Sequence, residues 1–214
     1  MVDAAACAGV KRFIPSEFGS NLENPRTCQL PVFVPKIKVQ NQIIEISKTT
    51  DMTYTFVLNN AFLDWGLQHD FVLSTSNSKP VLINGGDLLF SATTISSIGD
   101  AVVGILSHPI ETQNRFVRIH DLVTSQNQLL ALAKQAAPGR VWEPVIASLD
   151  DMVAKADERL AKGILDMRTF APYLFRAVLD PNYGGRFEQT DNELLGVKGK
   201  TEQDVIEIFK KHLN

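Results

Sequence analysis

Two spacings of apolar residues alternate along the chain, one typical of strands and one typical of helices. The β-branched and aromatic run TYTFVL at 53–58 is typical of a buried strand. Further strands are predicted at 10–15, 80–84, 116–119 and 141–146. Helices are predicted at 2–8, 36–48, 95–106, 126–135, 151–162, 168–179 and 201–212, with a helical or turn segment at 62–67. Strands that alternate with helices at this spacing indicate βαβ units, so we predict an α/β fold around a mainly parallel sheet.

The two halves of the chain differ in their predicted elements. Residues 20–35 hold three prolines with Asn and Gly nearby, which is typical of an irregular loop between the first strand and the next helix. The later half contains mostly helices and few strands. We therefore expect a smaller, mostly helical lobe that packs beside the sheet.

Charge and composition exclude several classes of protein. The 214 residues carry 24 acidic and 21 basic side chains, a net charge of −3, which offers no basic field for direct binding of nucleic acid. No apolar run reaches the roughly 18 residues of a transmembrane helix, so we expect no membrane association. Two cysteines are too few for a disulfide framework, and the four histidines lack metal-ligand spacing. We expect a reduced, cytoplasmic protein without a metal.

The segment AGVKRFIPSEFG at 8–19 is a specific motif. It resembles the GVKRFxPSEFG segment of the NmrA-like and isoflavone-reductase-like proteins, which are atypical members of the short-chain dehydrogenase/reductase group. Further matches follow in that family's order: the helix at Lys36, the strand at 53–58, Asn60, Phe62 and, as in its fungal branch, FLDWGL at 62–67 and LSHP at 106–109. The resemblance covers essentially the whole chain.

The resemblance implies a partial Rossmann-type sheet and a nicotinamide cofactor. Residues 1–67 would be the C-terminal part of a Rossmann-like NAD(P)-binding domain, and 68–214 a mixed substrate-binding lobe with some strands returning to the sheet. The implied cofactor is NADP(H), with NAD(H) as the alternative. However, no G-x-G-x-x-G turn, which would hold the pyrophosphate, occurs in the sequence. Because the chain also starts inside a predicted helix, we expect it to be the C-terminal part of a larger protein that lacks the phosphate-binding part.

Lys36 is the main candidate for catalysis. Helical spacing places Lys36, Val39, Ile43 and Ile46 on one face, which we expect to pack on the protein, while Lys38 faces water. A lysine in the first helical turn opposes the helix dipole, and this together with partial burial lowers its pKa toward neutrality. The resemblance implies that Lys36 is the acid/base group. The alternative is a surface lysine whose stem packs on the protein.

Other candidates follow the predicted strands, at the sheet edge where ligands bind in open α/β folds. With the resemblance, Pro15, Ser16 and Phe18 would form a wall of the nicotinamide and ribose site, although an ordinary strand-to-loop turn is the alternative. Asn59, Asn60 and Phe62 suit a carboxamide and a flat substrate, but Asn-Asn is also a common turn former. Phe18, Phe62 and Trp65 would contact the substrate, with Trp65 in the core as the alternative for that residue.

The function implied by the resemblance is hydride transfer between NAD(P)H and a small aromatic or enone-like substrate, with Lys36 moving the proton. The alternative is a non-catalytic NAD(P)-sensing regulator that acts through a protein partner, or an inactive truncated homologue. The strand at 10–15 would have an unpaired edge if the family's earlier strands are missing. We therefore also expect a homodimer or aggregation of the isolated chain.

Overall fold

A computed structural model describes residues 1–213 as an α/β protein with nine α-helices and eight strands in that range. The strands are β1 (Arg12–Phe13), β2 (Thr53–Leu58), β3 (Ala61–Phe62), β4 (Val81–Ile83), β5 (Phe90–Thr93), β6 (Arg115–Arg118), β7 (Leu122–Thr124) and β8 (Val145–Ala147). The helices are α1 (Val2–Cys7), α2 (Val34–Ser47), α3 (Leu63–Gln68), α4 (Ile95–Ser107), α5 (Gln126–Ala136), α6 (Leu149–Ala161), α7 (Met167–Leu179), α8 (Asn192–Leu195) and α9 (Glu202–Leu213). None of these helices combines the length and apolarity that crossing a bilayer requires.

The first sheet has the order β1-β2-β6, and both of its pairings are parallel. Successive side chains of β2 point to opposite faces of the sheet. Tyr54 and Phe56 pack with Ile43 of α2 on one face, and Val57 packs with Ile105 of α4 on the other. Because both faces are covered, TYTFVL is apolar and β-branched at nearly every position. This confirms the predicted α/β fold with parallel pairing.

A second sheet and a two-stranded ladder form the rest of the molecule. The order in the second sheet is β3-β5-β7, with β3-β5 parallel and β5-β7 antiparallel, while β4 and β8 pair in parallel. Helices α5, α6, α7 and α9 pack around these strands in one large apolar core. The side chains of Thr94, Ser125, Ser148 and Asp166 cap the N-termini of α4, α5, α6 and α7.

Some predicted elements differ from those observed. The strands β3, β5 and β7 and the short helix α8 were not predicted, β1 is limited to two residues, and the strand placed at 141–146 lies at Val145–Ala147. In β5 the buried side chains of Ser91 and Thr93 are held by hydrogen bonds, Thr93 Oγ1 to the Asn59 carbonyl at 2.7 Å. The run FSAT does alternate apolar and polar residues, but four residues are the shortest run that indicates a strand.

Candidate functional site

Lys36 lies in the first turn of α2, directly after Pro35. Proline suits this position because its missing N–H has no partner in a helix's first turn. The Lys36 side chain is partly buried, and its Nζ donates a hydrogen bond to the backbone carbonyl of Glu17, in the turn that follows β1. Burial lowers the pKa of Lys36, and the nearby Glu17 carboxylate acts in the opposite direction.

The carboxyl group of Glu17 is itself buried, with the residue 3% exposed. Gln40, one turn further along α2 than Lys36, donates from Nε2 to Glu17 Oε2 at 2.9 Å. Burial raises the pKa of Glu17, while Lys36 and the Gln40 hydrogen bond act to lower it. The turn after β1 is therefore joined to α2 by two hydrogen bonds, and both end on Glu17.

The face of α2 that packs on the protein differs in part from the predicted one. Lys36 is partly buried, Ile43 is fully buried and Lys38 is exposed, as predicted. The prediction was wrong for Val39, which is 39% exposed, because the neighbouring Gln40 takes the buried position and bonds Glu17. A buried polar residue that is paired by a distant segment cannot be found from apolar spacing.

An apolar cleft of about 250 Å³ lies beside the end of Lys36. Residues from the turn after β1, α2, β3, α3 and α7 line it: Phe18, Gly19, Ser20, Val32, Phe33, Lys36, Asn60, Ala61, Phe62, Trp65, Phe71, Met167, Leu174 and Val178. It brings together Phe18, Lys36, Asn60, Phe62 and Trp65 of the sequence-predicted set. Among these lining residues Lys36 is the single ionisable one, which favours an apolar ligand with one group that meets the ammonium.

A second cavity of about 420 Å³ lies at the outer edge of β1, and Lys36 lines it as well. Pro15, Ser16 and Glu17 line this cavity, together with Asp3 of α1. Pro15 and Ser16 therefore lie apart from Phe18, which faces the apolar cleft. Lys36 is the residue that borders both spaces.

The two asparagines after β2 are buried at the junction of the two sheets. Asn60 adopts a left-handed backbone with φ 48°, and its Nδ2 donates to the Ser91 carbonyl at 3.0 Å and the Gly185 carbonyl at 2.7 Å. Its Oδ1 has no partner in the protein. Asn59 is fully buried and does not line the cleft. Its Nδ2 donates a hydrogen bond to the Asn60 carbonyl.

Trp65 stands at the rim of the cleft and is 42% exposed. Its indole stacks on the His69 ring with a centroid distance of 4.3 Å. The interpretation of Trp65 as a core residue was therefore wrong. The aromatic rim formed by Trp65 with Phe62 and Phe71 provides flat apolar surface.

A larger open groove of about 680 Å³ lies elsewhere, between α4 and α8. It is lined by polar and charged residues such as Asp100, Glu193 and Lys198, and by none of the sequence-predicted site residues. At the turn after β1, by contrast, Lys36 is partly buried and Glu17 fully buried, and burial lowers the pKa of Lys36 and raises that of Glu17. Two neighbouring ionisable groups with pKa values shifted by burial are typical of a functional site.

Sequence reasoning missed Glu17, Gln40 and the residues that α7 adds to the cleft, Met167, Leu174 and Val178. Glu17 lies within the motif that carries the resemblance, so its position in PSEFG was an available signal. The contribution of α7 depends on how the helical lobe packs on the sheet, and the pattern of α7 alone does not give this.

Comparisons with known proteins agree with this architecture. The family profile described as "NmrA-like family" matches residues 1–167. The chain belongs to the NmrA-like family. The relative oxidoreductase poxI of Penicillium oxalicum is 30% identical over 96% of this chain and 68% of its own length, so relatives of this chain are oxidoreductases.

Solved structures of the isoflavone-reductase-like type share the fold. The ternary complex of leucoanthocyanidin reductase from Vitis vinifera matches with a TM-score of 0.78 at 18% identity, over 99% of this chain and 72% of that protein. AtPrR2 with NADP⁺ and (+)-pinoresinol matches with a TM-score of 0.74 at 20% identity, over 97% of this chain and 68% of that protein. The predicted Rossmann-type architecture is confirmed.

The residues present fit one end of a dinucleotide. A carboxamide and a ribose need hydrogen-bonding groups beside an apolar surface, and Ser16, Lys36 and the unpaired amide oxygen of Asn60 lie near the cleft and the edge cavity. The pyrophosphate usually sits on a glycine-rich turn at a helix N-terminus, and this sequence contains no G-x-G-x-x-G. The fit is therefore to the nicotinamide and ribose end.

Proposed function

We propose that the chain provides the catalytic and substrate-binding part of an NADP(H)-dependent reductase that acts on a small aromatic or enone-like substrate. The observation that carries the proposal is the position of Lys36, whose ammonium borders both an apolar cleft and a separate cavity at the sheet edge. A proton donor between a substrate space and a cofactor space is what a coupled transfer of hydride and proton needs.

The relatives support a nicotinamide cofactor together with a small-molecule substrate. AtPrR2 was solved with NADP⁺ and (+)-pinoresinol, and poxI is an oxidoreductase. In our proposal residues 1–67 supply Lys36 and the nicotinamide side. Residues 68–214 form the substrate lobe, to which Phe71 and the three α7 residues of the cleft belong.

In the proposed chemistry the protein's groups hold the substrate, exclude water and supply a proton. When bound, the reduced nicotinamide supplies the hydride. Phe18, Phe62 and Trp65 hold a flat substrate and keep water from its reacting carbon. For an enone, the Lys36 ammonium would stabilise the negative charge that develops on the carbonyl oxygen and would supply the proton that this oxygen takes up. Solvent then returns a proton to Lys36.

Burial of Lys36 suits this role. Because burial lowers the pKa of the ammonium, its proton is transferred to an oxygen more easily than from an exposed lysine. Among the residues that line the cleft, no other side chain can exchange a proton near neutral pH. The acid/base role therefore falls to Lys36.

Binding and turnover are measured first on the purified 214-residue chain. Fluorescence titration with NADPH is expected to saturate, and NADPH oxidation with benzylideneacetone, a simple aromatic enone, is expected to exceed the rate without the enone. Saturable binding with no turnover of any enone or aromatic ketone tested would instead favour an NAD(P)-sensing regulator. No saturable binding would exclude both functions for this chain.

Lys36→Met tests the acid/base role. We expect it to lower the turnover rate at saturating NADPH by about 10²-fold or more, because a lost general acid costs this much. Lys38→Met removes a charge from the exposed side of the same helix and is the matched control. Unchanged turnover in Lys36→Met would remove Lys36 from the mechanism.

A further inference from the structure

Glu17 is a buried carboxyl group that the proposed chemistry does not use. It is 3% exposed and lies in the turn between β1 and the loop that leads to α2. An ionised carboxyl group is costly to bury unless it is paired and hydrogen-bonded. A glutamine could accept the same hydrogen bond from Gln40 without a charge, so the charge itself calls for an explanation.

The contacts of Glu17 fix its relation to Lys36. Lys36 Nζ donates to the Glu17 carbonyl, and Gln40 Nε2 donates to the Glu17 carboxylate at 2.9 Å. Residues four apart on a helix lie on the same face, so α2 presents both donors to this one residue. The two hydrogen bonds fix the position of the turn relative to α2. This places the Lys36 ammonium between the cleft and the edge cavity.

The charges that face Lys36 come from few groups. In the edge cavity the ionisable residues are Glu17, Asp3 and the amino terminus of Met1, and Asp3 accepts two hydrogen bonds from Gln42. In the apolar cleft the lining residues add no further ionisable group. The Glu17 carboxylate is the charge that acts on the Lys36 ammonium.

We propose that Glu17 is the positioning residue of Lys36: its carbonyl fixes the ammonium between the two cavities, and its carboxylate, held by Gln40, favours the protonated form of that ammonium. The proposal rests on the proposed function only for what the ammonium then does. The geometry and the charge coupling can be tested without cofactor or substrate.

Competitive labelling with acetic anhydride measures this coupling, because only the neutral amine reacts. In the full chain, the labelling rate of Lys36 relative to Lys38 is followed from pH 6 to 10 by mass spectrometry. Glu17→Gln keeps an oxygen for Gln40 but removes the charge. We expect it to raise the relative rate of Lys36 roughly threefold or more at a fixed pH below the pKa of Lys36, since a nearby opposite charge favours the protonated form.

Glu45→Gln is the matched control, because Glu45 is an exposed carboxylate on the same helix that pairs with Lys48 at 2.7 Å. It is expected to leave the ratio of Lys36 to Lys38 unchanged. A Glu17→Gln profile that superimposes on the wild type, or a rise of equal size in Glu45→Gln, would overturn the proposal. A purely structural role of Glu17 would not move the Lys36 profile at constant fold, which circular dichroism checks.

The coupling is reciprocal, which provides a second variant should Glu17→Gln fail to fold. In Lys36→Met the Glu17 carboxylate loses its positive neighbour, so the pH midpoint of its side-chain carboxyl carbon, followed by NMR, is expected to rise. An unchanged midpoint would overturn the proposal. Neither measurement needs NADPH, so a chain that binds no dinucleotide still tests Glu17, and the failure of one proposal is not mistaken for the failure of the other.

Discussion

Asn60 shows why a single polar residue is needed where the two sheets meet. Its backbone is left-handed, a conformation that asparagine adopts more readily than most residues. Its amide group donates to carbonyls of β5 and of the segment at Gly185, and so ties three parts of the chain together at the floor of the cleft. Because both partners are carbonyls, the amide nitrogen must face them and the oxygen is left unpaired.

Replacing Asn60 separates the contribution of its left-handed backbone from that of its side-chain hydrogen bonds. Asn60→Gly keeps the left-handed backbone but loses both buried hydrogen bonds, and we expect it to lower the free energy of unfolding by about 1–3 kcal/mol. Asn60→Ala loses the same bonds and adds backbone strain of about 1 kcal/mol. Urea unfolding of both variants measures this order, and an alanine variant as stable as the glycine variant would contradict it.

His120 gives the molecule a sensitivity to acid. Burial lowers the pKa of His120 from its ordinary value of 6.5, and the nearby Asp121 acts in the opposite direction. The unfolded chain therefore binds this proton more tightly, so stability is lost as the pH falls from 6.5 through the lower pKa of the folded state. His120→Gln should lose less stability than the wild type between pH 7.5 and pH 5.

The control for this prediction is His69→Gln, since His69 is exposed at the end of α3. It is expected to keep the pH dependence of the wild type. Thermal unfolding at the two pH values is sufficient for the comparison. The same loss of stability in His120→Gln as in the wild type would show that burial of His120 is not the cause of the acid sensitivity.

At the scale of single residues, the sequence predicts which positions are buried but not which residues they contact. The helical spacing of α2, with the resemblance, places Lys36 at a partly buried position, and the structure agrees. Glu17 and Gln40 are 23 residues apart and meet only after the proline-containing loop has folded back. No local pattern predicts such a contact, and for the same reason Gln40 displaced Val39 from the buried face.

At the scale of elements, close packing of α4 on α8 depends on one glycine. A Cβ atom at Gly104 would lie 2.4 Å from the Leu195 carbonyl oxygen, so a side chain cannot be added unless α8 moves. Gly99 lies on the exposed side of the same helix, with open space where its Cβ would be. Close packing therefore requires a glycine at position 104 but not at position 99.

Alanine at each position is expected to have opposite effects. Gly104→Ala should lower the free energy of unfolding by about 1–3 kcal/mol through overpacking, whereas Gly99→Ala should raise it by about 0.5–1 kcal/mol through helix propensity. Denaturant unfolding of both variants tests this. Equal effects of the same sign would mean that α4 and α8 are not packed as closely as described.

Elements with strong periodicity or unbroken apolar runs were predicted, and those without were not. The bounds of β2 agree with the prediction at both ends because TYTFVL is buried on both faces. The strands β5 and β7 are short, and the buried serine and threonine of β5 take hydrogen-bond partners that are distant in sequence. Their pairing is set by the packing of the second sheet, which local patterns do not contain.

At the scale of the whole molecule, the two outer edges of the first sheet differ in whether their outward backbone groups are hydrogen-bonded. The outer side of β6 is covered, since the Asp191 amide donates to the Arg118 carbonyl at 2.7 Å and the Asp191 carboxylate accepts from the Arg118 amide. On the outer side of β1, no strand within residues 1–213 pairs with Arg12 or Phe13. An edge of this kind leaves backbone donors and acceptors free to pair with another chain.

We therefore predict that the isolated chain self-associates through β1. Light scattering should show a mass that rises above that of one chain as the concentration increases, because pairing at this edge is a second-order process. Hydrogen exchange should slow at the Arg12 amide in the associated form, since the Thr53 amide already bonds Lys11 and alternation turns Arg12 outward. The Arg118 amide, already bonded by Asp191, is the internal reference and should exchange at the same rate in both forms. A mass equal to one chain at every concentration, or association without added protection at Arg12, would contradict pairing through this edge.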